Sequence, residues 1–399
     1  MHGMLRGVQR CACLAVAIAA MACLPAGAQP IAERPLVSGT VLSLTPPPIA
    51  ARAYIVVDVL SGQALAAADE NTRYDPASLT KLMAAYVVFG MVRDHKLELT
   101  REVAVSDKAA KAQGARMYLE ARSQVSIDAL LHGLIVQSAN DAAVALAEAA
   151  AGSEEAFVQL MNRQAEKLGL ANTHYVNASG APAQDHYASA RDVATLAIAI
   201  LRDFPGEAAR YAEKEFTYKG IRQASTNRLL WTDPTVDGMK TGFTEAAGYC
   251  LAASARRGER RLVSVVMGAR SDTLRASESQ KLLNFGFQSY DTRKLYAKGV
   301  AVAEAAIFKG TQGTVKVGFD HDVWVTLPRD RFDAMKAVLE TRQPFVAPLA
   351  AGEKAGIMKL TRDNATLAEV PVVALEEVPV AGFLSRGWDT LRLLFRQAS

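Results

Sequence analysis

The chain has 399 residues, half of them hydrophobic, and a formal net charge of +4 at pH 7. This composition excludes an intrinsically disordered chain and suffices for at least one large hydrophobic core, and the length allows two or three domains. The near balance of charges gives no support for nucleic acid as a partner.

The first 28 residues are predicted to be a signal peptide. Arg6 and Arg10 precede an apolar run from Cys11 to Leu24, and small residues of the kind that a signal peptidase recognises follow it. The run is shorter than the about 20 residues that a membrane span needs. We therefore expect an exported protein, with an uncleaved anchor or a lipoprotein signal at Cys23 as alternatives.

The cysteines and histidines predict neither disulfides nor a metal site. Only Cys250 remains once the signal peptide is removed, so no intramolecular disulfide is possible. The histidines are scattered, and none has metal-ligand spacing to another His, Cys or carboxylate. We therefore predict no metal and no cofactor.

The mature chain is predicted to begin with an extended arm and a β-hairpin. Residues 29–50 contain three consecutive prolines and few periodic features, which is typical of an arm. Residues 53–59 and 64–67 are predicted to form two strands joined by a turn that contains Gly62. This hairpin leads directly into the first chemical motif.

A serine and a lysine lie three residues apart at the start of a predicted helix. Proline is favoured at a first helical position, so the helix is predicted to begin at Pro76 and to continue through the apolar run 82–89. Residues three apart share a helix face, which places the Lys81 amine beside the Ser78 hydroxyl. Burial and the helix dipole both disfavour a charged lysine. Ser78 is therefore a candidate nucleophile with Lys81 as its base, although this pair alone also occurs on solvated helices.

Two further helices are predicted on either side of a short polar bend. An apolar stripe predicts a helix that ends near Val136, and a second helix is predicted from residue 142 to about 151. Asn140 or Asp141 is the expected N-cap of the second helix. Ser138 and Asn140 thus lie in the bend, and taken alone this pattern indicates helix capping.

Two serines are predicted to cap later helices. Ser153 precedes one amphipathic segment, and Ser189 precedes an apolar helix over residues 193–201. His186 and Tyr187 lie just before the second cap, and we expect both on a surface loop, with the lining of a pocket as the alternative.

Lys240 and Thr241 lie between two glycines on a predicted strand. An antiparallel hairpin is predicted over residues 249–267, and a helix over residues 277–290 closes the unit. We interpret residues 51–293 as one domain.

The chain changes character after about residue 296. Short strands separated by turn signals predict an all-β domain over residues 296–378, which contains no candidate catalytic cluster. Residues 380–399 place large apolar side chains on one helical face and arginines on the rest, which is typical of an amphipathic helix in a membrane interface. A helix packed on its own domain is the alternative.

Three short motifs occur in order along the chain, namely Ser78-x-x-Lys81, Ser138-x-Asn140 and Lys240-Thr241-Gly242. This ordered set resembles the serine penicillin-recognising enzymes, which comprise penicillin-binding proteins and β-lactamases. The chain resembles more closely the D-alanyl-D-alanine carboxypeptidases of the low-molecular-mass penicillin-binding proteins, peptidase family S11, over nearly its whole mature length. The resemblance implies an α+β fold with an antiparallel sheet flanked by helices, a small all-β C-terminal domain and a terminal amphipathic helix.

The resemblance also implies chemical roles for the first two motifs. Ser78 attacks the carbonyl of the penultimate D-Ala while Lys81 takes its proton, and an acyl-enzyme forms as the terminal D-Ala leaves. Ser138 relays a proton toward the leaving amine. Asn140 binds the substrate amide and orients Lys81.

The third motif is expected to bind the terminal carboxylate of the substrate. Lys240 and Thr241 supply a cation and a hydroxyl, and Gly242 lets the substrate backbone approach closely. Backbone N–H groups of Ser78 and Phe243 form the oxyanion hole. Two further candidates for steering the carboxylate are Arg222 and Arg270.

Two positions depart from the pattern of the family. Ala139 stands where these carboxypeptidases often have Gly, which is a minor steric change. Phe243 stands where a His is commonly seen, so any side-chain role of that His is lost. Because the expected role of Phe243 is a backbone one, acylation should survive, while the deacylation rate and its pH dependence stay open.

The implied function is removal of the terminal D-Ala from peptidoglycan pentapeptide stems, with β-lactam antibiotics as covalent inhibitors. The implied location is the periplasm, attached to the inner-membrane surface through residues 380–399. A β-lactamase is one alternative, but it needs a glutamate that activates water, and the chain has none at the right spacing. A catalytically idle wall-binding protein is the other, and only Phe243 favours it.

Overall fold

The computed structural model describes residues 44–333, 335–362 and 365–382. Three predicted features lie wholly or largely outside these ranges: the signal peptide (1–28), the N-terminal arm (29–50) and the amphipathic helix (380–399).

The helices form where apolar residues recur at helical spacing, and serines cap several of them. Ser126, Ser153 and Ser189 each accept a hydrogen bond from a backbone N–H of the turn that follows. The predicted caps at Ser153 and Ser189 are therefore confirmed. The helices of the described residues are α1 (Lys81–Arg93), α2 (Asp107–Ala110), α3 (Ile127–Val136), α4 (Asn140–Ala151), α5 (Glu154–Lys167), α6 (Ala190–Asp203), α7 (Pro205–Ala208), α8 (Leu229–Thr232) and α9 (Asp272–Ser289).

The central sheet is antiparallel. The strands of this part of the chain are β1 (Ala53–Asp58), β2 (Ala64–Ala68), β3 (Glu102–Ala104), β4 (Gln124–Ser126), β5 (Glu215–Tyr218), β6 (Ile221–Ala224), β7 (Val236–Thr244), β8 (Gly248–Arg257) and β9 (Arg260–Ala269). The central sheet has the order β2-β1-β9-β8-β7, which makes β7 one of its two edge strands. The predicted hairpins β1–β2 and β8–β9 are confirmed, and β9 joins them by pairing with β1.

The central sheet separates two hydrophobic clusters because strand side chains alternate between its faces. On one face, Ile55 and Val57 belong to the core that also contains α1. On the other face, Val56 packs with Leu282 and Phe287 of α9. The helices α3, α4, α5 and α6 all contact α1. This enclosure explains why the segment after the first motif is apolar on every side.

The backbone at the first motif differs from the prediction. Ala77–Thr80 form a 3-10 turn and α1 begins at Lys81, whereas the sequence predicted a helix from Pro76. Ala77 has a φ of +47°, a conformation that costs on the order of 1 kcal/mol in a residue with a Cβ. Its N–H donates to Asp75 Oδ1 at 2.8 Å, which holds this turn in place.

The start of α4 also differs from the prediction. The helix begins at Asn140 and its N-cap is Ala139, so the expected capping by Asn140 or Asp141 is wrong. Ser138 immediately precedes the cap in a left-handed conformation with a φ of +62°. The side chains of Asn140 and Asp141 are therefore available for contacts outside the cap.

The C-terminal part of the chain is an all-β domain, as predicted. One sheet has the order β14-β16-β17-β12-β11-β15, β10 pairs with β13, and buried side chains form a separate core. Its strands are β10 (Tyr290–Tyr296), β11 (Ala301–Phe308), β12 (Thr314–Gly318), β13 (Val323–Pro328), β14 (Lys336–Thr341), β15 (Phe345–Val346), β16 (Lys354–Arg362) and β17 (Ala365–Ala374). The predicted α+β fold with a C-terminal all-β domain is thus confirmed. Within the described ranges, no helix is long and apolar enough to cross a membrane.

Candidate active site

The hydroxyl of Ser78 lies beside the amine of Lys81. Lys81 Nζ is 2.9 Å from Ser78 Oγ, which joins the 3-10 turn to the first residue of α1. The two residues are three apart in sequence, so the local backbone alone brings them together. This contact places a potential nucleophile against a potential base.

Three segments of the chain surround the Lys81 amine. Besides Ser78 Oγ, its acceptors are Asn140 Oδ1 at 2.7 Å and the Ser179 carbonyl oxygen at 2.6 Å. The side chain is buried, with 1 % of its surface exposed. Burial lowers the pKa of Lys81 to about 7, while the negative charge of Asp141 acts in the opposite direction. A substantial share of the amine is therefore neutral near neutral pH and able to accept a proton.

The orientation of Asn140 follows from its own contacts. Its side-chain nitrogen donates to the carbonyl of Gln113, and its backbone N–H donates to the carbonyl of Ala115 at 2.7 Å. The side-chain oxygen is thereby directed to Lys81. Ser138 lies two residues earlier, is buried, and makes no hydrogen bond through its hydroxyl to the described residues.

The edge strand β7 brings a second buried lysine to the site. Lys240 is 2 % exposed and its Nζ donates to the Thr241 carbonyl at 3.0 Å. Burial holds the pKa of Lys240 well below its usual value, and the positive charges of Lys81 and Arg275 act in the same direction. The Thr241 hydroxyl is hydrogen-bonded to the hydroxyl of Thr226. A cation and a hydroxyl on neighbouring residues can together bind a carboxylate.

Two glycines allow the neighbouring segments to pack against the Ser78 turn. A Cβ on Gly242 would lie 3.1 Å from both Pro76 O and Ser78 N. The family resemblance implied that this glycine lets the substrate backbone approach, and the structure adds a reason within the protein. A Cβ on Gly180, which has a φ of +84°, would lie 1.9 Å from the carbonyl oxygen of Ala77. Gly180 therefore requires glycine, and a side chain at position 242 would need its neighbours to shift by a few tenths of an ångström.

The remaining residues proposed from the sequence lie further toward the surface. Phe243 is 44 % exposed, and its ring centroid lies 4.3 Å from that of Tyr249. Arg222 is exposed on β6 and forms an ion pair with Glu215 on β5. Arg270 is exposed and directly follows β9. The described contacts do not bring either arginine to Ser78.

Several residues at the site were missed by the sequence analysis. The prediction that His186 lies on a surface loop is wrong, because its ring is buried and its Nε2 lies 2.8 Å from Thr80 Oγ1. Burial lowers the pKa of His186 to about 4, so the ring is neutral. The Ser179 carbonyl and the Thr226 hydroxyl were also missed, since neither belongs to a recognisable motif. Among the described residues, no group of three or more His, Cys, Asp or Glu could hold a metal ion.

Comparisons with known proteins cover almost the whole described chain. The D-alanyl-D-alanine carboxypeptidase family, peptidase S11, matches residues 40–271, and the penicillin-binding protein 5 C-terminal domain matches residues 290–380. The chain is 40% identical over 359 residues to D-alanyl-D-alanine carboxypeptidase DacC of Escherichia coli (strain K12), covering 88% of this chain and 90% of the relative.

Solved structures give the same result. Penicillin-binding protein 5 from Haemophilus influenzae is 38% identical with a TM-score of 0.82, covering 84% of this chain and 100% of that one. Penicillin-binding protein D2 from Listeria monocytogenes in its ampicillin-bound form is 30% identical with a TM-score of 0.57, covering 61% of this chain and 100% of that one.

Proposed function

The chain belongs to the D-alanyl-D-alanine carboxypeptidase family, peptidase family S11, and we propose that it releases the terminal D-Ala of peptidoglycan pentapeptide stems through an acyl-enzyme on Ser78. The observation that carries this mechanism is the buried amine of Lys81, 2.9 Å from the Ser78 hydroxyl. The neutral ring of His186 also contacts a hydroxyl, that of Thr80, but Thr80 is fully buried whereas Ser78 is partly exposed.

Acylation begins when neutral Lys81 accepts the hydroxyl proton of Ser78. The freed alkoxide attacks the carbonyl carbon of the penultimate D-Ala, and the bond to the terminal D-Ala nitrogen breaks. Lys81 returns the accepted proton to Ser138 as Ser138 passes its own hydroxyl proton to that nitrogen, so the terminal D-Ala leaves as a neutral amine and Lys81 is neutral again. An ester between Ser78 and the shortened stem remains.

The substrate is held along the β7 edge of the central sheet. Because β7 is the last strand in the sheet order, one edge of its backbone is free for an extended peptide within the described structure. Lys240 and Thr241 bind the terminal carboxylate, and the backbone N–H groups of Ser78 and Phe243 hold the oxyanion. Arg222 and Arg270 are both exposed, so they contribute at most a long-range electrostatic attraction to the carboxylate.

Water then hydrolyses the ester and regenerates Ser78. Lys81 is the base available for that water, because Phe243 contributes an apolar ring where an imidazole would offer a second base. A β-lactam presents a strained amide to the same serine, so we expect penicillin to form an ester that turns over slowly. The similarity to a protein seen with ampicillin bound supports this expectation.

Intact mass spectrometry after incubation with benzylpenicillin tests the mechanism. We expect one covalent adduct on the wild-type protein and none on Ser78→Ala, with release of D-Ala from a pentapeptide lost in the same variant. Ser277→Ala is the control, because that hydroxyl lies on α9 and donates only to the carbonyl of Leu274. Rapid turnover of penicillin would instead indicate a β-lactamase. An adduct without D-Ala release would contradict the carboxypeptidase reaction on this substrate.

The location of the protein is also a proposal. The apolar run before residue 28 supports export, and the amphipathic pattern of residues 380–399 supports attachment to the outer surface of the inner membrane. Co-sedimentation with anionic lipid vesicles should be strong for the mature chain and lost for a chain that ends at residue 379. Equal sedimentation of both chains would contradict this attachment.

A further inference from the structure

Asp141 is a buried carboxylate with no cationic partner within salt-bridge distance among the described residues. It is fully buried, with 0 % of its surface exposed. Its Oδ1 accepts the backbone N–H groups of Met117 at 3.0 Å and Ala142 at 2.9 Å, and its Oδ2 accepts that of Leu119 at 3.0 Å. Burying a carboxylate without an ion pair is costly, and here three backbone N–H groups offset that cost.

The segment that Asp141 holds is the segment that orients Asn140. Residues 113–119 accept two hydrogen bonds from Asn140, at the carbonyls of Gln113 and Ala115. Asp141 fixes the other end of that segment through Met117 and Leu119. The position of the Asn140 oxygen on Lys81 therefore depends on the Asp141 carboxylate, one residue further along α4.

The other charged groups at the site are two cations and the carboxylate of Asp75, which accepts the N–H of Ala77 and acts on His186. Lys240 on β7 is buried, which lowers its pKa, and it lies close enough to Lys81 for the charge of Lys81 to lower that pKa further. Arg275 on α9 is a second positive charge that acts on Lys240. On the loop before α6, His186 is neutral. On β5, burial raises the pKa of Tyr218, and the negative charge of Asp141 acts in the same direction. Asp141 is thus the negative charge that acts on the Lys81 amine from within the described protein.

We propose that Asp141 is a positioning residue for the reaction at Ser78: its carboxylate holds residues 113–119 so that Asn140 faces Lys81, and its charge acts on the Lys81 amine. This inference rests on the proposed function, because it assumes that Lys81 is the base for Ser78. Asparagine at this position keeps the size of the side chain but replaces one acceptor oxygen by a donor and removes the charge.

The test measures the rate of Ser78 acylation by benzylpenicillin against pH for Asp141→Asn. Asp192→Asn is the matched control, because Asp192 is also a buried carboxylate near a helix start, where it accepts the N–H of Asn172 and the hydroxyl of Thr173. Thermal unfolding of both variants shows how much stability each loses.

In Asp141→Asn we expect the acid limb of the rate profile to move about one pH unit lower and the plateau rate to fall about tenfold or more. The limb should not move in Asp192→Asn, whatever stability that variant loses. A limb that stays in place in Asp141→Asn, or moves equally in both variants, overturns the proposal.

Asp141→Glu provides a second test if Asp141→Asn does not fold. This variant keeps the charge but displaces the carboxylate, so we expect a wild-type limb and a reduced plateau, and a wild-type plateau would overturn the positioning role. A wild-type protein that penicillin does not acylate at all would instead overturn the proposed mechanism together with this inference.

Discussion

At the scale of single residues, Lys81 controls when Ser78 can react. Burial lowers the pKa of Lys81 to about 7, so the amine is protonated below that pH and neutral above it. Because only the neutral amine accepts a proton, we expect the acylation rate to rise with pH through about 7 and then level off. Stopped-flow or quenched mass measurements with benzylpenicillin between pH 5 and 9 check this profile. A rate that falls as the pH rises through 7 would show that the charged amine is the active form.

Lys81→Arg tests the same residue by substitution. A guanidinium stays protonated at all of these pH values, so acylation should fall by about 10³-fold, a typical loss for a general base. Lys108→Arg is the control, because Lys108 is half exposed and pairs with Glu154 and Glu155. A fall of less than tenfold in Lys81→Arg would assign the base to another group.

The sequence predicted the contact between Ser78 and Lys81 because the two residues lie three positions apart. Within one turn, the local backbone determines such a contact. Local sequence patterns did not predict the contacts that depend on distant segments. They indicated a helix cap at Asn140 or Asp141, whereas the contact of Asn140 with Lys81, 59 positions away in the chain, was expected only from the family resemblance. His186 was expected on the surface, yet it is buried against Thr80, 106 positions away. Such contacts are set by tertiary packing, which overrides local preference.

At the scale of elements, the loop before α6 is pressed against the Ser78 turn at Gly180. Gly180→Ala introduces both a strained φ and a Cβ that would lie 1.9 Å from Ala77 O. We expect this variant to lower the free energy of unfolding by about 2 kcal/mol more than the backbone strain alone would. We also expect acylation to slow about tenfold, because the Ser179 carbonyl oxygen would move away from Lys81.

Gly152→Ala isolates the strain at a matched position. Gly152 has a φ of +81°, and nothing lies within 4 Å of its potential Cβ. It should cost on the order of 1 kcal/mol and leave acylation unchanged. Urea unfolding and acylation rates for the two variants make the comparison, and equal losses in both would show that packing at Gly180 contributes nothing.

Element types were more predictable from the sequence than element ends. The caps at Ser153 and Ser189 were found because a serine before an apolar segment has a local cause. In contrast, α9 was predicted from residue 277 but begins at Asp272, after a cap at Ser271. The first turn of α9, which was missed, contains Arg275. This charged side chain is buried and donates a hydrogen bond to the carbonyl of Gly242. Hydrophobic periodicity alone does not reveal a charged side chain that is buried in this way.

At the scale of the whole molecule, the family resemblance carried by the three motifs predicted the antiparallel sheet, and short strands separated by turn signals predicted the all-β domain. The contacts between these two parts were not predicted, since they come from isolated polar residues. Ser61, in the turn after β1, bonds through its hydroxyl to Thr326 on β13 at 2.7 Å. Thr292 on β10 bonds to Asp58 Oδ2 at 2.7 Å and to Thr326 at 2.9 Å. A buried polar network therefore connects β1 to the C-terminal domain.

Asp58 is the centre of that network, and its removal should destabilise the molecule without impairing the chemistry. Its side chain is fully buried and also pairs with Arg260, whose Nη2 lies 3.1 Å from Oδ2. Asp58→Ala leaves the largely buried guanidinium uncompensated, so we expect a loss of about 3–5 kcal/mol in the free energy of unfolding. Acylation at 25 °C should stay within about twofold of wild type, because Asp58 contacts no group at Ser78.

Asp291→Ala is the control for Asp58→Ala, since Asp291 forms an exposed pair with Arg293 and should cost less than about 1 kcal/mol. Calorimetry and the penicillin adduct rate measured on the same samples distinguish the two expectations. If Asp58→Ala kept wild-type stability, the network would not hold the two parts together. If it lost stability and acylation in the same proportion, the C-terminal domain would be coupled to the active site as well as attached to it.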